Sequence, residues 1–493
     1  MLGINAIYFY LLISFSLMTE FAKAETRAPE PEQFPVDNTP GFSFMRALSE
    51  LGWHDLNNET WNLYGQGTYI SQWKPAFPAA YTNLNGANHS LLPQAENSFS
   101  ATATFYAGLR LWRGAEFYGA PEMISEDPLS NLKGLAGAIQ DFEFQKSGTV
   151  SSTWYRSRLN LRQTINFGGE ETITESAPMQ LGGSTLASRR LVITAGEVSI
   201  LDIFDKNTFS ADLRQQFFNM SFMTHAAYDF VADSRGYTIG LASELYYDHW
   251  ALRFGRYIPP INPNDLGLDF RFYKYYGDQV ELEYQGNLLW GQHGAVRLLG
   301  YHNHEKTGSY TDAINAYLTD PAKNAADCIG YNYASNNSHA PDLCWVRKPN
   351  DKFGMGINIE QNVNQDIGLF FRAMYSDGRT EVYNYTSTDQ SMSMGAVFHG
   401  RLWQRHKDAF GVGYAINMLS AAHIRYMQMG GLDVFIGDGA LNYSPEQVFD
   451  MYYKFNLISS AWATADYQFI ANPAYNADRG PVNVLGLRLH IEF

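Results

Sequence analysis

The chain has 493 residues, 45% hydrophobic and 15% aromatic but only 17% charged, and its formal net charge is −15. Fifty acidic residues against 35 basic ones argue against a nucleic-acid partner, because phosphate recognition needs a net basic surface. A mean hydropathy of −0.28, with no apolar stretch of about 18 residues after position 24, excludes helical membrane spans but not a closed barrel in which apolar and polar positions alternate.

In chain order, Ala6 to Met18 is an apolar run ending near Ala22-Lys23-Ala24, which predicts a signal peptide over residues 1–24. The run is shorter than the roughly 20 residues of a spanning helix, and Glu20 and Lys23 follow it closely. Residues 25–60, rich in Pro and Glu, are expected to form a short N-terminal periplasmic segment, too short for the plug of an energised receptor. From 61 to 493 the pattern is that of a transmembrane β-barrel.

Alternation is clear in Phe99 to Leu111, where Phe99, Ala101, Ala103, Phe105, Leu109 and Leu111 oppose Ser100, Thr102, Thr104, Tyr106 and Arg110. It recurs in Leu159 to Phe167, with Gln163 as the misfit, and in Val280 to Leu288 and Phe353 to Glu360. Further copies lie at 236–246, 366–376, 392–403, 408–418, 446–457 and 461–470, and weaker ones at 61–71, 113–118, 138–146, 186–196, 248–257, 266–276 and 293–302. Gly291-Gln292 and Asn364-Gln365 read as short turns, His302 to Asp351 as a long loop. The last segment is the cleanest: Leu485, Leu487, Leu489, Ile491 and Phe493 alternate with Gly486, Arg488, His490 and Glu492. The expected fold is therefore an all-β, antiparallel outer-membrane barrel of about 16 strands (16–18), large enough to hold water rather than packed side chains.

If the parity holds, Arg110, Arg158, Arg162, Arg253, Arg297, Arg372, Arg401 and Arg488 face the lumen, with Glu116, Glu281, Glu283, Glu360, Asp466 and Glu492 on the same wall. Guanidinium groups beside carboxylates offer fixed donors and acceptors suited to hydroxyl-rich solutes, although such pairs also serve simply to neutralise each other and stiffen the wall. Most tryptophans fit interfacial girdles; Trp112 and Trp403 are candidates to reach the lumen and stack on a sugar ring. Cys328 and Cys344, sixteen apart in a polar stretch, are expected to form a disulfide, since a metal site with His339 lacks the ligand count zinc demands. A hydrolytic barrel would need a Ser-His-acid set, for which Ser393 and His399 are only a coincidence of parity, so no catalysis and no cofactor are expected.

The segments GDGALNYSPEQ from Gly437, TADYQFIANPAYNADRGPV from Thr464 and LGLRLHIEF from Leu485 resemble the carbohydrate-selective porin family, often called the OprB family. LRLWRGAEFYGAPEM from Leu109, PLS from Pro128, GLAGA ending at Ala138 and the stretch Tyr155 to Thr164 agree with it. The resemblance implies a sixteen-stranded barrel of the bacterial outer membrane, narrowed by long inward-folded outer loops, that passes monosaccharides such as glucose by facilitated diffusion; a general diffusion porin without sugar selectivity is the alternative. It implies pore-narrowing residues at Arg110, Glu116, Arg158 and Arg162, with Trp112 and Glu122 added. Small sugars and the lipid bilayer are the expected partners, with the outer-membrane assembly machinery engaged through Phe493 and further copies of the chain in a homo-oligomer. The segment Thr307 to Asp351, with both cysteines, looks longer than the family pattern.

Overall fold

The computed structural model describes residues 43–145, 149–322, 328, 333 and 339–493. The expected signal peptide, 1–24, and positions 25–42 of the expected N-terminal segment lie outside the described residues. Helix α1 (Phe44–Glu50) is capped by Ser43, whose Oγ accepts from the Arg46 N–H at 3.1 Å. Its Met45 is fully buried, and Met45 Sδ accepts from the Leu63 N–H at 3.2 Å.

Sixteen strands follow: β1 (Trp61–Lys74), β2 (Glu96–Trp112), β3 (Ala115–Asp127), β4 (Thr153–Ile173), β5 (Thr185–Val198), β6 (Thr238–Tyr247), β7 (Trp250–Tyr257) and β8 (Tyr276–Asn287) form one half. The other half is β9 (His293–Thr307), β10 (Lys348–Asn362), β11 (Ile367–Ser376), β12 (Gln390–His399), β13 (Ala409–Met418), β14 (Glu446–Ile458), β15 (Ala461–Ala471) and β16 (Val482–Glu492). Each pairs antiparallel with the next, and β16 closes on β1 in the register Gln66↔Glu492 to Trp73↔Leu485. Closure leaves no unpaired strand edge, which is the condition for spanning hydrocarbon with strands. The expected alternation is realised: Leu485, Leu487, Leu489 and Ile491 face outward, while Arg488 and His490 are buried inside.

Two of the eighteen candidate strands are not strands. The described part of 138–146, residues 138–145, alternates because it lines a loop folded into the barrel: Ala138, Phe142 and Phe144 are buried, and the backbone there bonds to the wall side chains of Gln72, Glu446 and Gln468 and to Asn219 of another loop rather than to a neighbouring strand. Of residues 266–276, all but Tyr276, which begins β8, belong to the outer loop before that strand, where Phe270, Phe272 and Tyr273 are exposed. Alternation of apolar residues thus marked a strand only where the backbone also had a partner.

The connections alternate. Short turns join β2 to β3, β6 to β7, β8 to β9, β10 to β11 and β14 to β15, on the rim where β1 begins and β16 ends. The long loops lie on the opposite rim, the outer one by this asymmetry. Helix α2 (Met220–Met223) lies in the loop between β5 and β6. The loop between β9 and β10 is 308–347, shorter at both ends than expected because both strands run on; it carries α3 (Tyr310–Thr319) and the Cys328–Cys344 disulfide, with Cα atoms 6.2 Å apart. Helix α4 (Ala421–Gln428) lies in the loop between β13 and β14.

Loop 199–237, between β5 and β6, does not stay outside. Its Phe204, Phe209, Phe217, Met220, Phe222 and Phe230 are buried in one apolar cluster with wall residues Leu299, Phe370, Met374, Val448 and Tyr452. Phe217 stands 5.0 Å from Tyr452 and 5.4 Å from Phe370, ring centre to ring centre. Gly368 of β11 is obligatory beneath it, since a Cβ there would lie 2.0 Å from the Phe209 ring. Full burial of each such phenylalanine contributes about 1.5–3 kcal/mol, so the loop is held as a wedge along the β8–β16 side of the lumen.

Candidate pore constriction

The open part of the lumen is consequently eccentric. A cavity of about 980 Å³ runs along the β2–β6 wall on the short-turn side, and a smaller one of about 240 Å³ lies between loop 199–237 and the neighbouring outer loops. Arg158 and Asp202 line both cavities, which places their contact at the junction.

Arg158 sits on β4 where a bulge opposite Ala120 and Pro121 interrupts the register, and Asp202 follows β5 at the entry of loop 199–237. Arg158 donates from Nε to Asp202 Oδ2 at 2.6 Å and from Nη2 to Oδ1 at 2.7 Å, a bidentate pair. Burial opposes ionisation of Asp202, but the Arg158 guanidinium outweighs it and holds the carboxyl below its ordinary range. The other face of Arg158 covers the Tyr237 ring, 5.3 Å from its centre.

The larger cavity is also lined by Arg110, Arg113, Arg162, Arg190 and Lys206, against the carboxylates of Glu116, Asp202 and Glu244. Arg162 stacks over Tyr118 at 4.9 Å and Arg190 over Tyr246 at 3.9 Å, so aromatic faces and guanidinium planes share one wall. Lys206 points into the lumen, where enclosure by the wall, with Arg253 and Arg162 near, lowers the pKa of its ammonium.

Of the residues singled out in the sequence, Arg110, Glu116, Arg158 and Arg162 meet around this cavity. Glu116 accepts from Ser184 Oγ and from the Tyr118 hydroxyl, both at 2.6 Å. Trp112 shares the parity of Arg110, but a register shift between the two turns it to the rim; it is 58% exposed and donates to Gln163 Oε1 at 2.9 Å. Glu122 is fully buried higher on β3 and anchors loop 199–237, accepting from Arg214 Nη2 at 3.1 Å, from Thr104 Oγ1 at 2.5 Å and from the Tyr155 hydroxyl.

Four other expected lumen arginines face inward but lie beneath the loop wedge or its flanks. Arg253 reaches Glu281 at 2.7 Å and Glu283 at 3.3 Å, Arg297 reaches Glu283 at 2.5 Å and Glu360 at 3.3 Å, and Arg372 and Arg488 are almost wholly buried. Arg401 is a correction: it lies in the turn after β12 and pairs with Asp366 at 2.7 Å on the rim. Trp403 is another, since it packs outside the barrel with Phe398, Phe410 and Tyr453 and not in the lumen. Ser393 and His399 sit six positions apart on one strand, about 20 Å, so they do not form a catalytic pair. Asp202, Arg190, Lys206 and Glu244 were missed; Glu244 and Arg190 carried the inward parity of their strands, whereas Asp202 and Lys206 sit in a loop without periodicity.

The comparisons with known proteins agree with this architecture. The fold of Pseudomonas putida OprB matches with a TM-score of 0.64 at 16% identity, over 88% of this chain and 94% of that one. OmpT of Vibrio cholerae (TM-score 0.44, 11% identity, 89% and 99% coverage) and the DcaP channel of Acinetobacter baumannii (0.45, 8%, 88% and 97%) are more distant. No match is found among curated proteins. The family model described as carbohydrate-selective porin, OprB family, matches residues 89–493. A closed sixteen-stranded barrel with a loop-narrowed lumen, matched over most of its length by that family, is a channel of the bacterial outer membrane, and the chain belongs to the carbohydrate-selective porin family.

Proposed function

We propose that this porin passes monosaccharides such as glucose through the eccentric channel, with the Arg158–Asp202 contact as its narrowest polar gate. The observation that carries this reading is that one ion pair lines both cavities, with arginine, carboxylate and tyrosine side chains continuing down the same wall. A pyranose edge presents alternating hydroxyl donors and acceptors, which this wall matches, and the Tyr106 and Tyr246 side chains supply apolar contact. Weak, repeated exchange of hydrogen bonds lets a solute enter and leave without an energy source or a catalytic step.

Arg110, Glu116 and Arg162 act below the gate, while Glu122 positions loop 199–237 rather than touching the solute. Phe493 supports the proposed recognition by the assembly machinery: its backbone exchanges hydrogen bonds with Gly65, and its ring lies 6.2 Å from Phe105 on the outer face. Association into homo-oligomers is part of the same proposal. Liposome swelling with glucose and with stereoisomers of equal mass tests the sugar reading: unequal rates are expected, and equal rates would establish a size-only sieve.

A further inference from the structure

The periplasmic turn between β4 and β5 departs from the pattern of short turns on that rim. Strand β4 runs on to Ile173, past the rim, and residues 174–184 then fold back into the lumen. Leu181 is fully buried against the inner wall; Gly108 of β2 makes the room, since a Cβ there would lie 3.3 Å from Leu181 Cδ2 and 2.6 Å from Asn62 Oδ1.

The turn is bolted in place from three sides. Arg110 Nη2 donates to the Gly182 carbonyl at 2.8 Å and to Ser184 Oγ at 2.9 Å, and Arg162 Nη1 donates to the Met179 carbonyl at 3.0 Å. Asn62 Nδ2 donates to the Gln180 carbonyl at 2.8 Å. Glu59, itself fully buried, accepts from the Gly182 N–H at 2.7 Å and from Ser176 Oγ at 2.6 Å. Pro178, Met179 and Gln180, the last with its Nε2 donating to the Glu175 carbonyl at 2.9 Å, line the 980 Å³ cavity from below, while Arg158 and Asp202 close it from above.

We infer that turn 174–184 is a second filter at the periplasmic exit, with Met179 and Gln180 setting its width. On this reading Arg110 and Arg162 are positioning residues: their guanidinium groups hold the carbonyls of the turn that narrows the exit. The cavity between the two filters is a chamber large enough for one small sugar and its water, which makes the exit a size limit separate from the Arg158–Asp202 gate. The inference rests on the proposed sugar passage for its solute, but the narrowing itself is a property of any ion or solute crossing the barrel.

The test uses the full chain, whose two native cysteines are bonded to each other, so that Met179→Cys introduces the single free thiol. The variant in planar bilayers is exposed to a water-soluble, positively charged methanethiosulfonate, with modification verified by mass. Modification is expected to lower single-channel conductance by about half, as an added group in a narrow pore should. Replacing residues 175–183 by Gly-Gly is expected to raise conductance and to admit disaccharides faster relative to glucose. Unchanged conductance in the modified Met179→Cys protein, or a thiol that the reagent does not reach, would overturn the second filter. Failure of the unmodified protein to discriminate among sugars would overturn the sugar reading alone, since conductance block is read with salt.

Discussion

Substituting Asp205→Ala attacks the wedge at a buried ion pair that joins it to the wall. The Asp205 carboxylate is fully buried and pairs with Arg372, whose Nε lies 3.0 Å from Oδ2 and donates to Oδ1 at 3.3 Å; it also accepts from Thr224 Oγ1 at 2.6 Å and Asn358 Nδ2 at 2.5 Å, with His225 Nε2 3.3 Å away. Burial opposes its ionisation, but Arg372 and His225 more than compensate, so the carboxyl is charged at neutral pH. Removing it strands the Arg372 guanidinium, 1% exposed, without a counter-charge, a change that costs about 3–5 kcal/mol. With each 1.4 kcal/mol worth a factor of ten, the population of undocked loop 199–237 should rise by about two to three and a half orders of magnitude. Hydrogen exchange of residues 203–222 in the detergent-solubilised barrel should accelerate by that factor, and single-channel records should show larger and noisier currents. Asp205→Asn, which retains an acceptor for Asn358 and Thr224, should fall between. Exchange in Asp205→Ala within about threefold of the parent would refute the claim that this charge holds the wedge, because the predicted change is far larger.

Arg158→Ala should raise conductance and flatten the differences among sugar isomers in swelling assays, because both cavities then open into each other; unchanged values would move the gate elsewhere. Because the described charges lining the larger cavity are mostly cationic, reversal potentials in a salt gradient should report anion preference despite the net charge of −15, and Arg190→Glu should reduce it. At the outer mouth, burial would lower the pKa of His423, but Asp389 at 3.0 Å and Asp433 at 3.4 Å raise it to about 9. Its folded value exceeds the ordinary 6.5, so its contribution is complete below about pH 6.5 and is lost as pH rises through about 9. Protease sensitivity of the loops bearing α3 and α4, where Tyr310 stacks on His423 at 4.1 Å, should therefore increase between pH 8 and about 10, and His423→Gln should abolish that dependence.

The barrel was legible because hydrocarbon imposes a period of two on every strand it touches. The stretch Leu485 to Phe493 declares its faces without any knowledge of its neighbours. The same rule misled at 138–146, whose described part, 138–145, is an alternating loop that satisfies its backbone through Glu446, Asn219 and Gln468 inside the lumen. Arg110, Glu116, Arg158 and Arg162 were legible from strand parity and from family resemblance together. Their division of labour was not, because it depends on residues 174–184 and 199–237, which carry no period and are positioned only by tertiary contacts. Loop 199–237 is rich in phenylalanine, yet nothing in a single sequence distinguishes such a loop that enters a barrel from one that covers it.

The off-centre wedge makes the cylinder mechanically uneven. Along β8 to β16 the strands are backed by a second layer of close-packed side chains, whereas along β2 to β6 a single sheet separates lipid from the water path. Bilayer thickness, lateral pressure or a ligand pressing on the outside should consequently register in ion flow when applied to the thin flank, near Phe117, Leu159 or Leu241, and be absorbed silently on the other.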